Sequence, residues 1–257
     1  MPRFKLTLAY VGTRYHGWQI QVKPSPPPTI QGEVEGVFRR VVGRLVRVHG
    51  AGRTDSGVHA EGQVAHVDIP DDRAGLDWQC VLNAKLPRDI RIMNVEAAPP
   101  GFHARFDVFS KTYVYQLWAS RRYIPPRLAP FAWDCGAFDL EAARAALPLL
   151  AGRHDFACLQ NAGTPMEDTV RTLMDLRLDP VPHASGLLFA LSVTAGGFLK
   201  QMVRNITGLL VSIGQGKFAC GRIPELIAAA DRRLAPPTAP PQGLTLARVD
   251  YAPPTGE

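Results

Sequence analysis

The amino-acid sequence predicts an α+β protein built from two halves, residues 1–104 and 105–257. Three observations support this fold class. Short segments alternate apolar and polar residues, which is the two-residue period of half-buried strands. Longer segments place apolar residues at the helical period of 3.6 behind a capping Thr or Asp. These segments follow one another in the order β-α-β-β-α-β, and that order occurs twice.

The first half contains all six elements of this order. Phe4, Leu6 and Leu8 alternate along the first strand. Thr29 caps a helix whose apolar positions run through residues 30–42. The other predicted elements are strands at residues 45–48 and 62–69, a helix that Asp77 caps and Pro87 ends, and a strand at 90–95. This is the split β-α-β, or ferredoxin-like, arrangement with an antiparallel sheet.

The second half repeats the pattern without visible sequence identity to the first. It begins after the Ala-Ala-Pro-Pro-Gly stretch near residue 100. Predicted strands cover residues 105–118, 169–179, 187–194 and 244–251, and predicted helices cover 139–150, 198–213 and 224–230. The sequence therefore predicts a duplicated α+β architecture.

The composition excludes several classes of protein. With 46% hydrophobic and 20% charged residues among 257, the chain as a whole is not disordered. Its apolar runs fall well short of the roughly 20 residues of a membrane helix, and its N-terminus lacks the apolar core of an export signal. The cysteines at 80, 135, 158 and 220 have no Cys-x-x-Cys spacing. We therefore expect free thiols in a cytoplasmic protein without a membrane segment.

The positive charge is concentrated near the N-terminus. The formal net charge is +6, and residues 1–60 carry nine Lys or Arg against three Asp or Glu. Arginine supplies 23 of the 29 cations, and its planar guanidinium suits bidentate binding of phosphates. The arginine excess indicates a polyanionic partner, although a GC-rich genome explains it equally well.

The most distinctive segment lies between two predicted strands and reads Gly52-Arg53-Thr54-Asp55-Ser56-Gly57-Val58-His59. Glycines on both sides of the aspartate let the backbone turn sharply and approach a ligand closely. Asp55 could act as a nucleophile, a general base or a metal ligand. The alternative is ordinary turn chemistry, in which the Asp55 side chain only accepts from its own backbone. The spacing matches neither a calcium loop nor a zinc helix.

Two further segments carry cations that could bind RNA. One is a predicted strand with tyrosines, and the other is a predicted helix. Lys111, Tyr113 and Tyr115 share one face of a predicted strand, as in sheets that stack bases and hold phosphates. The alternative is ordinary packing, which favours tyrosine in strands. On the predicted helix at 198–213, Lys200 and Arg204 stand one turn apart and share a face. Such a pair is often only the solvated side of an amphipathic helix.

Six segments together resemble the tRNA pseudouridine synthase A family, in the order in which that family has them. The matching stretches are AYVGTRYHGWQ, GRTDSGVHAEGQVAH, FHARFDVFSKTYVY, GRHDFACL, FLKQMVRN and APPQGLTLARVDY. They run the length of the chain, and the Gly-Arg-Thr-Asp-x-Gly-Val-His stretch is highly specific. The resemblance implies a pseudouridine synthase fold with two ferredoxin-like halves around a central cleft.

The resemblance also implies an activity and a set of site residues. Such enzymes convert uridines 38, 39 and 40 of the tRNA anticodon stem-loop to pseudouridine, as homodimers and without metal or organic cofactor. The family's catalytic aspartate falls on Asp55, its partner cation on Arg204, and its substrate-stacking aromatic residue on Tyr113. The tyrosine hydroxyl is also a candidate for proton transfer. Other predicted substrate-binding residues are Arg53, His59 and Lys111.

Some features depart from the family pattern or are left unassigned. Leu199-Lys200-Gln201 stands where relatives often have a His-rich stretch, and the loop after the Tyr113 strand is short and Pro-rich. The Pro-rich segments 24–28 and 236–241 receive no role. Three alternatives are a non-catalytic RNA-binding or chaperone protein, a synthase acting on another RNA, and a metal-dependent nuclease. A metal-dependent nuclease would need a cluster of carboxylates around Asp55, and the sequence has none there.

Overall fold

The chain folds into two units. The computed structural model describes residues 1–120, 123–161, 163, 168–184 and 187–251. The first unit comprises Met1–Phe109 together with Thr245–Glu257, and the second comprises Ser110–Leu244. Among the described residues, no helix is both long and apolar enough to cross a membrane.

The first unit confirms the predicted ferredoxin-like order. Its elements are β1 (Arg3–Tyr10), α1 (Ile30–Val42), β2 (Val48–Gly50), β3 (His59–Asp68), α2 (Trp78–Lys85) and β4 (Ile90–Ala97). β1 lies between β3 and β4 and is antiparallel to both, with Leu6 opposite Ala65 on one side and Val95 on the other. β2 is antiparallel to β3. The strand order is therefore β4-β1-β3-β2. The segment that contains Asp55 connects the neighbouring strands β2 and β3.

The helices of the first unit form where their caps predict. The Thr29 hydroxyl oxygen accepts the Gly32 N–H at 3.2 Å, which begins α1. Asp77 likewise accepts the Cys80 N–H and begins α2. Phe38 of α1 and Trp78 of α2 are buried together, with ring centroids 4.7 Å apart. This contact joins the two helices over the sheet.

The second unit contains three of the predicted strands, the first of which begins at Ser110 rather than at residue 105, and adds two. Its elements are β5 (Ser110–Trp118), β6 (Trp133–Asp134), α3 (Leu140–Arg144), α4 (Leu147–Leu150), β7 (Gly152–Asp155), β8 (Val170–Val181), β9 (Leu188–Ala195), α5 (Met202–Gly214) and α6 (Ile223–Ala229). The antiparallel order is β7-β8-β9-β5, and β6 runs parallel to the end of β5. The added strands β6 and β7 are too short to show a sequence period.

Two helix predictions in this unit were wrong in their bounds. The helix expected at 139–150 is two short helices, because the Pro148 ring lacks an N–H and would clash with a carbonyl one turn earlier. The helix expected from residue 198 begins at Met202, because Gln201 adopts a left-handed backbone with φ of 62°. Lys200 therefore precedes the helix, and it does not share a helical face with Arg204.

The last strand, β10 (Leu244–Asp250), returns to the first unit. It runs parallel to β3, with Thr245 opposite His59 and Leu246 opposite Ala60. Tyr251 continues this attachment, since its hydroxyl donates to the Ala104 carbonyl at 2.7 Å. The observed division therefore differs from the predicted halves 1–104 and 105–257. Residues 105–109 and the C-terminal strand lie with the first unit because their contacts are there.

Candidate active site

In the first unit the site residues lie on the loop between β2 and β3. Asp55 is half-buried, Arg53 is exposed and Thr54 is buried between them. The Val58 N–H donates to the Asp55 carbonyl at 3.2 Å and closes a turn in which Gly57 has φ of 80°. The chain therefore turns sharply at Asp55, as the flanking glycines predict.

Hydrogen bonds with the segment after β1 hold the loop on both sides of Asp55. On one side the Thr54 carbonyl accepts the Trp18 N–H at 3.1 Å. On the other side the Tyr15 carbonyl accepts the Gly57 N–H at 3.3 Å and the Ser56 hydroxyl at 3.2 Å. The segment after β1 thus fixes the loop before and after the aspartate.

Gly17 lets this supporting segment approach the loop. Its φ is +84°, and a Cβ atom there would lie 2.5 Å from the Thr54 carbonyl oxygen and 3.1 Å from the Asp55 carbonyl carbon. Both the left-handed backbone and the close approach require a residue without a side chain. The glycine of the Tyr-His-Gly-Trp stretch is therefore part of the aspartate loop's support.

A buried polar cluster lies beneath the loop. The Tyr10 and Thr54 hydroxyl oxygens are 2.9 Å apart, and the Gln63 amide nitrogen donates to the Gly52 carbonyl at 2.9 Å and to the Tyr10 hydroxyl at 3.4 Å. Burial raises the pKa of Tyr10 to about 12, although its hydrogen bonds with Thr54 and Gln63 oppose that rise. Its hydroxyl is therefore neutral near pH 7.

Asp89 holds the segment after β1 in place through contacts with Arg14 and Tyr15. Its carboxylate accepts the Tyr15 hydroxyl at 2.8 Å and two guanidinium nitrogens of Arg14 at 2.6 and 3.0 Å. Burial alone would raise the pKa of Asp89, but the hydrogen bonds from Arg14 and Tyr15 outweigh it and lower that pKa. No local pattern in the sequence marks Asp89, Tyr15 or Tyr10 as site residues, because these contacts join residues far apart in the chain.

His59 lies at the start of β3 and is buried. Its Nδ1 accepts the Gly12 N–H at 3.0 Å, which leaves the proton of a neutral ring on Nε2. The side chain thereby joins β3 to the turn after β1, the same turn that supports the Asp55 loop.

In the second unit the predicted aromatic residue lies on β5. Tyr113 is opposite Val193 of β9, and its largely buried ring meets Phe198 edge to face at 5.2 Å. Lys111 and Tyr115 occupy the alternate positions on either side along the strand. Burial raises the pKa of Tyr115, against an opposing effect of nearby Arg204. The Tyr115 hydroxyl donates to the Pro240 carbonyl at 2.6 Å.

Arg204 lies in the first turn of α5. Its Nε donates to the Ala239 carbonyl at 2.8 Å, and its own carbonyl accepts the Ala239 N–H at 3.1 Å. The structure thus groups Arg53, Asp55 and His59 in the first unit, and Lys111, Tyr113 and Arg204 in the second. Among the residues described, no three His, Cys, Asp or Glu side chains converge as a metal site requires.

Comparison with known proteins identifies the class of this enzyme. The sequence model of a family described as tRNA pseudouridine synthase matches residues 7–107 and 146–252, so the protein is of the pseudouridine synthase class. A curated "tRNA pseudouridine synthase A" from Lawsonia intracellularis is 53% identical over 98% of this chain and all of its own length. One from Nitratidesulfovibrio vulgaris is 50% identical over 98% of this chain and all of its own.

These matches cover nearly the whole chain, which belongs to the tRNA pseudouridine synthase family. It is an isomerase that converts uridine to pseudouridine in tRNA. Among solved structures, a chain titled as a Cbf5-Nop10-Gar1 complex aligns with 81% of this chain and 45% of its own. Its 12% identity and TM-score of 0.36 add nothing to the assignment.

Proposed function

We propose that this enzyme modifies uridines 38, 39 and 40 of the tRNA anticodon stem-loop, with Asp55 as its catalytic carboxylate. The observation that carries the proposal is the fixed backbone on both sides of Asp55, through Trp18 and Tyr15. A reacting group held by its surroundings needs no reorganisation when the substrate arrives. The positions in the stem-loop follow from the family resemblance.

The reaction is an isomerisation and balances without a co-reactant. The N1–C1′ bond breaks, the uracil turns, and a C5–C1′ bond forms; the proton lost from C5 is matched by one gained at N1. A carboxylate at Asp55 would serve attack on C1′, attack on C6, or removal of a sugar proton to give a glycal. The uridine must first leave its stem, which costs a few kcal/mol of unstacking.

Arg204 is proposed to pair with the Asp55 carboxylate. A guanidinium stabilises an ionised carboxylate and orients it through two parallel hydrogen bonds. Arg204 already donates its Nε to the Ala239 carbonyl. The two parallel hydrogen bonds to the Asp55 carboxylate would therefore come from the Nη1 and Nη2 nitrogens of Arg204.

Of the remaining site residues, Arg53 and Lys111 are proposed to bind the RNA. Arg53, which is exposed two residues before Asp55, is proposed to hold the backbone and fill the space that the flipped base leaves, and Lys111 is proposed to contact phosphate. His59 is buried and engaged with Gly12. These contacts support a role for His59 in holding the site rather than in touching the substrate.

The proposal includes a cytoplasmic homodimer, as the family resemblance implies. Light scattering on the purified chain tests the dimer directly. A mass of twice 28.1 kDa is expected, and a monomer at working concentration would contradict this part alone.

Mapping pseudouridine in tRNA from cells with and without the gene tests the function. Loss at positions 38–40 and its restoration by the wild-type gene are expected. Release of tritium from tRNA carrying 5-tritiated uridine gives the same test with purified enzyme. Loss at other tRNA positions, with pseudouridine at 38–40 unchanged, would contradict the proposed positions.

Tyr113→Phe is expected to leave the Kd for tRNA within about twofold, because the ring that stacks on uracil is kept. Tyr113→Ala should weaken binding roughly 5- to 150-fold, the equivalent of 1–3 kcal/mol for one base–aromatic contact. Filter binding and single-turnover rates measure the two effects separately. A large loss of rate in the phenylalanine variant alone would assign proton transfer to the hydroxyl. Equal weakening by both substitutions would contradict stacking.

A further inference from the structure

The Pro-rich segment near the C-terminus contacts the helix that carries Arg204. Residues 235–243, here called the strap, lie between α6 and β10. The Ala239 backbone makes both of its hydrogen bonds described above with Arg204, one to the side chain and one to the main chain. One step further, the Pro240 carbonyl accepts the Tyr115 hydroxyl of β5. The strap therefore joins Arg204 to the strand that bears Tyr113.

Three polar side chains, of which Asn205 is buried, secure the strap. Asn205 is 1% exposed, and its amide nitrogen donates to the Leu159 carbonyl at 2.7 Å. Its amide oxygen accepts the Thr238 hydroxyl at 2.6 Å and an Arg232 nitrogen at 3.1 Å. These three side chains, Asn205, Thr238 and Arg232, are called the latch.

Arg232 completes the latch from the other end of the strap. Its Nη2 also contacts the Thr238 hydroxyl oxygen at 2.9 Å, while Nη1 donates to the Ala235 and Pro236 carbonyls at 3.1 and 3.0 Å. Burial lowers the pKa of Arg232. The Arg232 guanidinium therefore binds both the first two residues of the strap and Thr238.

The helix surface is shaped to receive the strap. A Cβ atom at Gly208, one turn after Arg204, would lie 2.0 Å from the Pro237 carbonyl oxygen. Only a glycine allows this approach, which lets the strap lie directly on the helix backbone. The close approach of Pro237 to Gly208 and the two hydrogen bonds between Ala239 and Arg204 therefore hold Ala239 against the helix.

We propose that Asn205, Thr238 and Arg232 are positioning residues for the isomerisation, and that they act by holding Ala239 against the Arg204 guanidinium. The inference rests on the proposed role of Arg204. With Nε donated to the strap, the orientation of the guanidinium depends on where the latch holds Ala239. A small displacement of a catalytic group by a change far from the chemistry can cost about a hundredfold in rate.

Thr238→Val is the first test, since it keeps the shape of the side chain and removes the hydroxyl. We expect kcat for tritium release to fall about tenfold or more, with the Kd for tRNA within twofold. Thr238→Ser restores the hydroxyl and should restore kcat to within about twofold. An unchanged kcat in the valine variant, or a serine variant as slow as valine, would overturn the proposal.

A double-mutant cycle separates positioning from general stability. If the latch acts through Arg204, Thr238→Val should slow the enzyme less than twofold in an Arg204→Lys background. An equal tenfold effect in both backgrounds would show a merely structural role. If Arg204→Lys itself keeps the wild-type rate, the proposed pairing of Arg204 fails, and that result is distinct from failure of the latch.

Arg232→Gln and Arg233→Gln form a matched pair that does not depend on Thr238. Both remove one positive charge from adjacent positions, but Arg233 is exposed and its described contacts are with Asp231. Arg232→Gln should lower kcat, whereas Arg233→Gln should leave it unchanged. Equal rates for the two variants would overturn the proposal.

Discussion

Asp55→Asn is expected to abolish pseudouridine formation while leaving the fold and most tRNA binding intact. The amide has the shape of the carboxylate but is neither a nucleophile nor a base, so the rate should fall by at least about 10⁴-fold, as it does when a catalytic nucleophile is removed. The backbone hydrogen bonds of Thr54 and Gly57 and the hydroxyl hydrogen bond of Ser56, which hold the loop, do not involve this side chain. Tritium release and thermal unfolding measure the two effects.

Asp72→Asn serves as the control for this substitution. Asp72 is an exposed aspartate of the same unit whose described ion pair is with its neighbour Arg73. Its replacement should change neither rate nor stability. Pseudouridine formation by Asp55→Asn at the wild-type rate would remove Asp55 from the reaction.

Gly17→Ala is expected to impair both stability and catalysis. The left-handed backbone alone costs an alanine about 1–2 kcal/mol, and the new methyl group would meet the Thr54 carbonyl at 2.5 Å. We expect a total loss of roughly 2–4 kcal/mol in the free energy of unfolding. Because the contact displaces the residue beside Asp55, kcat should fall about a hundredfold in the molecules that remain folded.

Gly75→Ala is the matched control, since a Cβ atom there meets nothing within 4 Å and the residue is exposed. It should leave the free energy of unfolding within about 0.5 kcal/mol of wild type. Urea unfolding and single-turnover rates at a temperature where both variants are folded complete the comparison. A Gly17→Ala enzyme with wild-type kcat would show that the aspartate loop does not depend on this approach.

Local signals in the sequence predicted most of the elements and the location of the aspartate. Thr29 and Asp77 cap helices as expected, because capping depends on residues only three positions apart. The Asp55 turn was likewise visible from its two glycines. The family resemblance, rather than periodicity, selected Tyr113 and Arg204.

The supports of the site could not be predicted, because they join distant parts of the chain. Asp89 contacts Tyr15 across 74 positions, and Ala239 contacts Arg204 across 35. The acceptor from Ala239 is a backbone carbonyl, which every residue has, so no residue type marks it. The left-handed Gln201 also gave no signal, since glutamine rarely adopts that conformation.

The parallel pairing of β10 with β3 has a consequence for synthesis of the enzyme. His59 and Ala60, which directly follow the Asp55 loop, pair with Thr245 and Leu246, so the ribosome must extend the chain past residue 246 before that edge is covered. Until then the nascent first unit exposes unpaired backbone groups beside its reactive loop. A protein truncated anywhere before residue 244 would therefore have an open sheet edge, a form that proteases and chaperones recognise. The first unit therefore becomes complete only after synthesis has passed the residues of β10.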